Sequence, residues 1–279
     1  MTDMTPSTQS TRHDPAAPGS RVAVVTGGSR GIGRATSQKL ARDGLAVVVN
    51  YARDAASAEE TVAAITGAGG RAVAVQADVA DEKEVAALFD RAEREYGGVD
   101  VVVNAAGRMT LSTVADLDLA ALDAMHRTNI RGTFVVAQQA ARRLRAGGSL
   151  VTFSTSVVGT QFPEYGAYVA SKAAVEGMTL ILARELRGRD VTVNTVAPGP
   201  TATDLFLDGK TPEQIDRLAK VPPLERLGRR RERPHGGDAG HEHEHGYGHG
   251  PRGRRRGVRA GEGFVSYRGR VLARTFTRT

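Results

Sequence analysis

The chain has no cysteine and no tryptophan among its 279 residues, and only 5% of it is aromatic. Without cysteine there is no disulfide, no thiol nucleophile and no cysteine-ligated metal, although the redox compartment stays open. No run of about 18 apolar residues occurs, so no segment is expected to span a membrane. Residues 1–20 are polar, lack the apolar stretch of a secretory signal and read as a disordered leader. A cytoplasmic protein without a membrane partner is the expectation. The length suits one large α/β domain or two small ones, with a sizeable core.

The net charge of +7 is unevenly placed. Residues 229–279 hold 13 arginines, no lysine and five acids, an excess of eight, which leaves the rest of the chain at −1. Composition changes abruptly after Gly228, and residues 229–263 are rich in Arg, Gly and His with almost nothing to form a core. Only 264–276 regains alternation and could form one strand. His241, His243 and His245, with His235 and His249, make a flexible chelator, but alternate spacing in a glycine-rich stretch gives no preformed tetrahedron, so no metal site is expected. The arginines after Arg252 lack a recognition module and enough aromatics for stacking, so a solvated basic tail is expected and nucleic acid is not an expected partner.

From Arg21 onward, short Val-rich runs alternate with helical patterns. Strands are expected at 21–26, 45–50, 71–77, 99–103, 149–154 and 190–196, with helices near 31–43, 55–67, 82–96, 118–145 and 165–187. Continuous apolar runs suit strands buried on both faces, and their alternation with helices implies right-handed βαβ crossovers. The fold class is α/β, a doubly wound parallel-sheet Rossmann fold in a single domain over 21–228.

Thr26-Gly27-Gly28-Ser29-Arg30-Gly31-Ile32-Gly33 follows the first strand and opens a helix, the context of a dinucleotide fingerprint. Gly27, Gly31 and Gly33 permit a tight turn and close approach of backbone to a pyrophosphate at the helix N-terminus, with Ser29, Arg30 and Ile32 beside it. An acid at the end of the second strand holds a ribose 2′-hydroxyl, whereas a 2′-phosphate wants arginine. That strand ends Asn50-Tyr51 with no acid, and Arg30 and Arg53 are near, so NADP(H) is expected over NAD(H). Asp78 and Val79, after the third strand, are placed to meet adenine. Asn104, Ala105 and Gly107, after the fourth, let backbone pass close to the cofactor.

Tyr168 and Lys172 are four residues apart on the last helix, hence on one face, and no other tyrosine has a lysine at this spacing. A free tyrosine titrates near 10, too high for acid/base work at neutrality. An ammonium about 4 Å away, at an effective dielectric of about 20, is worth roughly 4 kcal/mol, enough to lower that value by about 3 units. Ser156, just past the fifth strand, is the candidate to hydrogen-bond the substrate oxygen, with Ser154 as the alternative. Tyr165, one turn earlier, reads as a pocket wall or a packing aromatic. Asn129 taken alone reads as an exposed or capping amide.

Together these motifs resemble the classical short-chain dehydrogenase/reductases, in particular NADP-dependent 3-oxoacyl carrier-protein reductase-like members, over about 20–228. The resemblance implies a catalytic set of Asn129, Ser156, Tyr168 and Lys172. Tyr168 protonates the carbonyl oxygen, Ser156 orients it, Lys172 lowers the tyrosine pKa and binds the nicotinamide ribose, and Asn129 anchors a water relay. It further implies that Pro198, Gly199 and Thr201 contact the nicotinamide carboxamide and that 201–222 forms a substrate lid. NADPH-dependent reduction of a ketone or aldehyde, 3-oxoacyl included, is the expected activity, with a small carbonyl or alcohol as partner.

The sequence departs from that family after Pro222-Pro223-Leu224-Glu225-Arg226-Leu227-Gly228, where a helix and a seventh strand are expected and an Arg/Gly/His stretch stands instead. Arg, Gly, Pro and His without Lys is what another frame of GC-rich DNA encodes, so a frameshift near codon 228 is one reading. The family's homo-oligomer is in doubt with this C-terminus. The competing functional readings are a weak or inactive Rossmann protein with a basic interaction tail and an NAD-linked alcohol or sugar dehydrogenase.

Overall fold

The computed structural model describes residues 20–222 and 225–228. The elements run β1 (Val22–Thr26), α1 (Gly31–Arg42), β2 (Ala46–Tyr51), α2 (Ala55–Gly67), β3 (Arg71–Gln76), α3 (Glu82–Tyr96) and β4 (Val99–Asn104). They continue with α4 (Leu119–His126), a π-helical turn (Arg127–Arg131), α5 (Gly132–Arg143), β5 (Leu144–Phe153), α6 (Val157–Thr160), α7 (Gly166–Glu185), β6 (Thr192–Val196), α8 (Asp204–Leu207) and α9 (Pro212–Ala219).

The six strands pair in parallel in the order β3-β2-β1-β4-β5-β6. Alternate residues of β1 serve opposite layers. Val22 and Val24 pack with Leu88 and Phe89 of α3, Val136 of α5 and Leu182 of α7. Ala23 and Val25 pack with Leu40 of α1 and Ile65 of α2. Each fully buried Val, Leu or Phe contributes roughly 1.5–3 kcal/mol, so a one-residue slip that exchanged the faces would be strongly disfavoured. The sheet extends from β1 in both directions, to β2 on one side and, after the chain crosses back from β3, to β4 on the other, and Thr26 pairs with Asn104 where the crevice opens.

Two expected elements differ. The single helix at 118–145 is broken by the π-helical turn, in which Thr133 Oγ1 donates to the Asn129 carbonyl at 2.6 Å. A single π-turn is an insertion of one residue into a helix, and no residue type or spacing in the sequence marks where it falls. The fifth strand begins at Leu144 rather than 149, because Leu144 pairs with Val99 ahead of a register shift. Among the described residues β6 is an edge of the sheet. The leader before Ser20, the strand at 264–276, the histidine stretch and the rest of the Arg/Gly/His segment after Gly228, which the frameshift reading concerns, all lie outside the described residues. Among those described, no helix is long and apolar enough to cross a membrane.

Candidate active site

A cavity of about 780 Å³ runs along the carboxyl ends of the strands and joins the glycine turn to the 168–172 helix face. Its walls include Gly27, Ser29, Arg30, Gly31, Ile32 and Gly33, then Asn50, Tyr51 and Arg53 at the end of β2, Asp78 and Val79 after β3, and Ala105 and Gly107 after β4. Ser156, Tyr168, Lys172, Pro198, Gly199 and Thr201 line it as well. Residues spread over 175 positions of sequence thus meet in one space.

The turn has room for an anion. Gly27 adopts φ +60°, and a Cβ there would sit 2.9 Å from the Ala106 backbone. On Gly33 a Cβ would fall 2.1 Å from the Gly27 carbonyl, so helix and turn pack only without side chains. Aspartates 54, 81 and 118 cap α2, α3 and α4, whereas α1 has no side-chain cap and no acid in its first turn. Its first N–H groups therefore face the cavity unpartnered by side chains, which fits a pyrophosphate. Near the end of β2, Arg30 and Arg53 are exposed and neither guanidinium hydrogen-bonds or ion-pairs with another described residue, which fits a 2′-phosphate. Asp54, the nearest acid in sequence, is occupied as a cap, accepting from the Ser57 N–H.

Asp78 ion-pairs with Arg127, a cavity residue that the sequence did not single out. Partial burial works to raise the Asp78 carboxyl, but the Ala80 N–H and the Arg127 guanidinium outweigh it and hold it below its usual value. Asn104 does not face the cavity. It accepts from Thr26 Oγ1 at 2.6 Å and donates to Thr133 Oγ1 at 2.9 Å, so it ties β1, β4 and α5 together. The alternation of β4 carries the reason: Asn104 shares the face of Val102, which packs under α5.

Tyr168 and Lys172 project from α7 into the cavity, each less than a tenth exposed. The expected lowering of the tyrosine pKa by the lysine is not what the geometry gives. Lys172 Nζ lies 5.8 Å from the centroid of the Tyr168 ring and donates to the Phe153 carbonyl at 2.9 Å. Burial, with Tyr165 adding to it, pushes Tyr168 up to about 12. Burial pulls Lys172 down to about 8 from 10.5. Desolvation exceeds the attraction because both groups leave water together. The lysine shift corresponds to about 3 kcal/mol against folding. That cost is present in full below pH 8, where folded and unfolded lysine are both charged, and it fades as pH rises to 10.5.

Ser156 ends β5's exit, its N–H donating to the Pro198 carbonyl at 3.0 Å, and its hydroxyl has no hydrogen-bond partner among the described residues. Ser154 Oγ is engaged with Glu176 Oε1 at 2.6 Å, so of the two serines Ser156 has the available hydroxyl. Tyr165 stands edge-on to Tyr168 with ring centroids 6.5 Å apart and forms wall, as expected. Asn129 is neither exposed nor a cap. It is fully buried in the π-helical turn, does not line the cavity, and bonds to the backbone of Arg108 and to Ser171.

From Thr201 the chain passes through α8 and α9 and returns at Gly228, which bridges to Thr201 and donates to the Pro200 carbonyl at 2.8 Å. Leu205, Phe206, Leu218, Val221 and Pro222 from this excursion line the cavity as apolar wall. Phe162 adds to the wall, and so do Arg108 and Met109, which the sequence did not single out and whose only signal was adjacency to the 104–107 motif.

Residues 21–213 match the short chain dehydrogenase family. A short-chain type dehydrogenase/reductase of Picea abies is 44% identical over 221 residues, covering 76% of this chain and 82% of that one. A chloroplastic NADPH-dependent aldehyde reductase-like protein of Arabidopsis thaliana is 42% identical over 237 residues, with 80% and 88% coverage. Among solved structures, a short chain dehydrogenase from Burkholderia cenocepacia J2315 in complex with NADP is 38% identical with a TM-score of 0.70, covering 75% of this chain and 85% of that one. With its sheet order, its glycine turn and its Tyr168/Lys172 helix all in place, the chain belongs to the short-chain dehydrogenase family.

Proposed function

We propose that this protein is an NADPH-dependent carbonyl reductase that converts an aldehyde or ketone to the alcohol, with Tyr168 as proton donor. The observation that carries the reading is the convergence of Ser156, Tyr168 and Lys172 on the cavity that also holds the uncapped glycine turn and the two free arginines. The relatives named as an NADPH-dependent aldehyde reductase and an NADPH-dependent aldehyde reductase-like protein support the cofactor and an aldehyde substrate.

When bound, the reduced nicotinamide supplies the hydride. The chain supplies position and a proton. Gly27, Ser29, Gly31, Ile32 and Gly33 hold the pyrophosphate, Arg30 and Arg53 the 2′-phosphate beside Asn50 and Tyr51, and Asp78 and Val79 the adenine. Ala105 and Gly107 would give close backbone approach, and Pro198, Gly199 and Thr201 would hold the carboxamide. At the reacting end, the Ser156 hydroxyl donates a hydrogen bond to the carbonyl oxygen as charge grows on it. Tyr168, protonated at neutral pH with a pKa near 12, is ready to give its Oη proton to that oxygen. The Lys172 ammonium stabilises the tyrosinate that remains. Asn129 holds the 107–109 turn against α7.

The test is NADPH oxidation by the purified chain against a panel of aldehydes and ketones, with NADH in parallel and Tyr168→Phe as control. Turnover with NADPH that falls by about 10²–10⁴ in Tyr168→Phe is expected. A protein that binds no NADPH defeats the reading.

A further inference from the structure

Five cations line the cavity, and four have an evident task. Arg127 is paired with Asp78, Lys172 holds the Phe153 carbonyl, and Arg30 and Arg53 flank the end of β2. The fifth, Arg108, is exposed, and its guanidinium makes no hydrogen bond or ion pair with any described residue. Its backbone, by contrast, is fixed at both the N–H and the carbonyl by Asn129.

Arg108 belongs to the reacting end. Just before it, a Cβ built on Gly107 lies 3.6 Å from Lys172 Nζ. Just after it, Met109 packs against the cluster of Tyr165 and Tyr168. The wall at this end is apolar, with Met109 and Phe162 packed against the two tyrosines. The glycine turn and the α1 N-terminus, which meet the cofactor's phosphates on the reductase reading, lie at the strand ends of β1 and β2 instead.

We infer that Arg108 anchors a substrate carboxylate, and that the preferred substrates are apolar aldehydes or ketones carrying a carboxylate group. The inference rests on the reductase reading. A guanidinium offers a planar pair of N–H donors that match a carboxylate. A neutral ligand covering Arg108 would strip water from the cation and return nothing, so the same residue selects against uncharged analogues.

The experiment compares 3- and 4-formylbenzoate with their methyl esters under NADPH. A kcat/KM ratio of acid to ester of about tenfold or more is expected, falling toward one in Arg108→Met, partly kept in Arg108→Lys, and narrowing with added salt. A ratio unchanged within about twofold between the parent and Arg108→Met overturns the assignment while leaving the reductase reading intact. A second readout needs no turnover: calorimetric titration of benzoate into the NADP⁺-saturated chain, with affinity expected to weaken about tenfold in Arg108→Met. Arg108-dependent benzoate binding without any carbonyl reduction would remove the reductase reading and leave the anion site standing. Inorganic phosphate binding more tightly than benzoate through Arg108 overturns the carboxylate assignment.

Discussion

The Asn129 carboxamide clasps the backbone of Arg108 at both ends: its Oδ1 accepts from the Arg108 N–H at 2.8 Å, and its Nδ2 donates to the Arg108 carbonyl at 2.9 Å. The same Nδ2 reaches Ser171 Oγ at 3.0 Å, and Ser171 in turn donates to the Tyr168 carbonyl at 2.7 Å. One buried side chain thus sets the turn after β4 against the helix that carries Tyr168.

Removing that clasp should loosen both the fold and the site. Asn129→Ala leaves two backbone groups and Ser171 short of partners, at about 1–3 kcal/mol for each group that stays buried. Urea unfolding should show a loss of about 2 kcal/mol, and kcat should fall by more than KM rises, because the 107–109 turn is displaced relative to Tyr168. Asn129→Asp keeps the acceptor and loses the donor, so it should fall between the two. Parent-like kcat in Asn129→Ala would contradict the positioning role.

Lys172 gives the pH profile a direction. With its pKa near 8, the ammonium is present below pH 8 and lost above it, whereas Tyr168, near 12, stays protonated throughout. For carbonyl reduction, kcat/KM should be flat from pH 6 to about 8 and then fall by about tenfold per pH unit. The falling limb should vanish in Lys172→Met, on top of a much lower plateau. Steady-state rates across pH 6 to 10 check this, and a parent profile still flat at pH 9.5 would rule it out.

Arg30 and Arg53 should set cofactor choice. Each charged hydrogen bond to a 2′-phosphate is worth about 1.5–3 kcal/mol, so removing both in Arg30→Ala/Arg53→Ala should cut the NADPH-over-NADH ratio of kcat/KM by about 100-fold or more. NADH turnover should change little, because a 2′-hydroxyl offers no charge to these side chains. Equal losses with the two cofactors would place the arginines elsewhere.

Much of the scaffold was legible because buried parallel strands need uninterrupted apolar residues. The Val-rich runs at 21–26, 45–50 and 71–77 lie within one residue of β1, β2 and β3, and α2 and α3 have the expected bounds. The failures have a common source. The π-helical turn around Asn129 depends on bonds to Thr133 and Arg108, partners that hydrophobic period does not register. Asn104 belonged to a cofactor-facing motif by sequence, yet its side chain turns to Thr26 and Thr133. Arg108 went unnoticed because a single arginine after a glycine has no distinguishing spacing.

The sequence alone determined the alternation of strand and helix, the glycine turn and the placement of Tyr168 and Lys172 on one helix face, all of which follow from local period and residue type. Only the tertiary structure decided which groups are charged and which are free. Burial depends on neighbours far away along the chain, and it raises Tyr168 to about 12 and lowers Lys172 to about 8, while tertiary packing engages Ser154 with Glu176 and leaves the Arg108 guanidinium without an ion pair among the described residues.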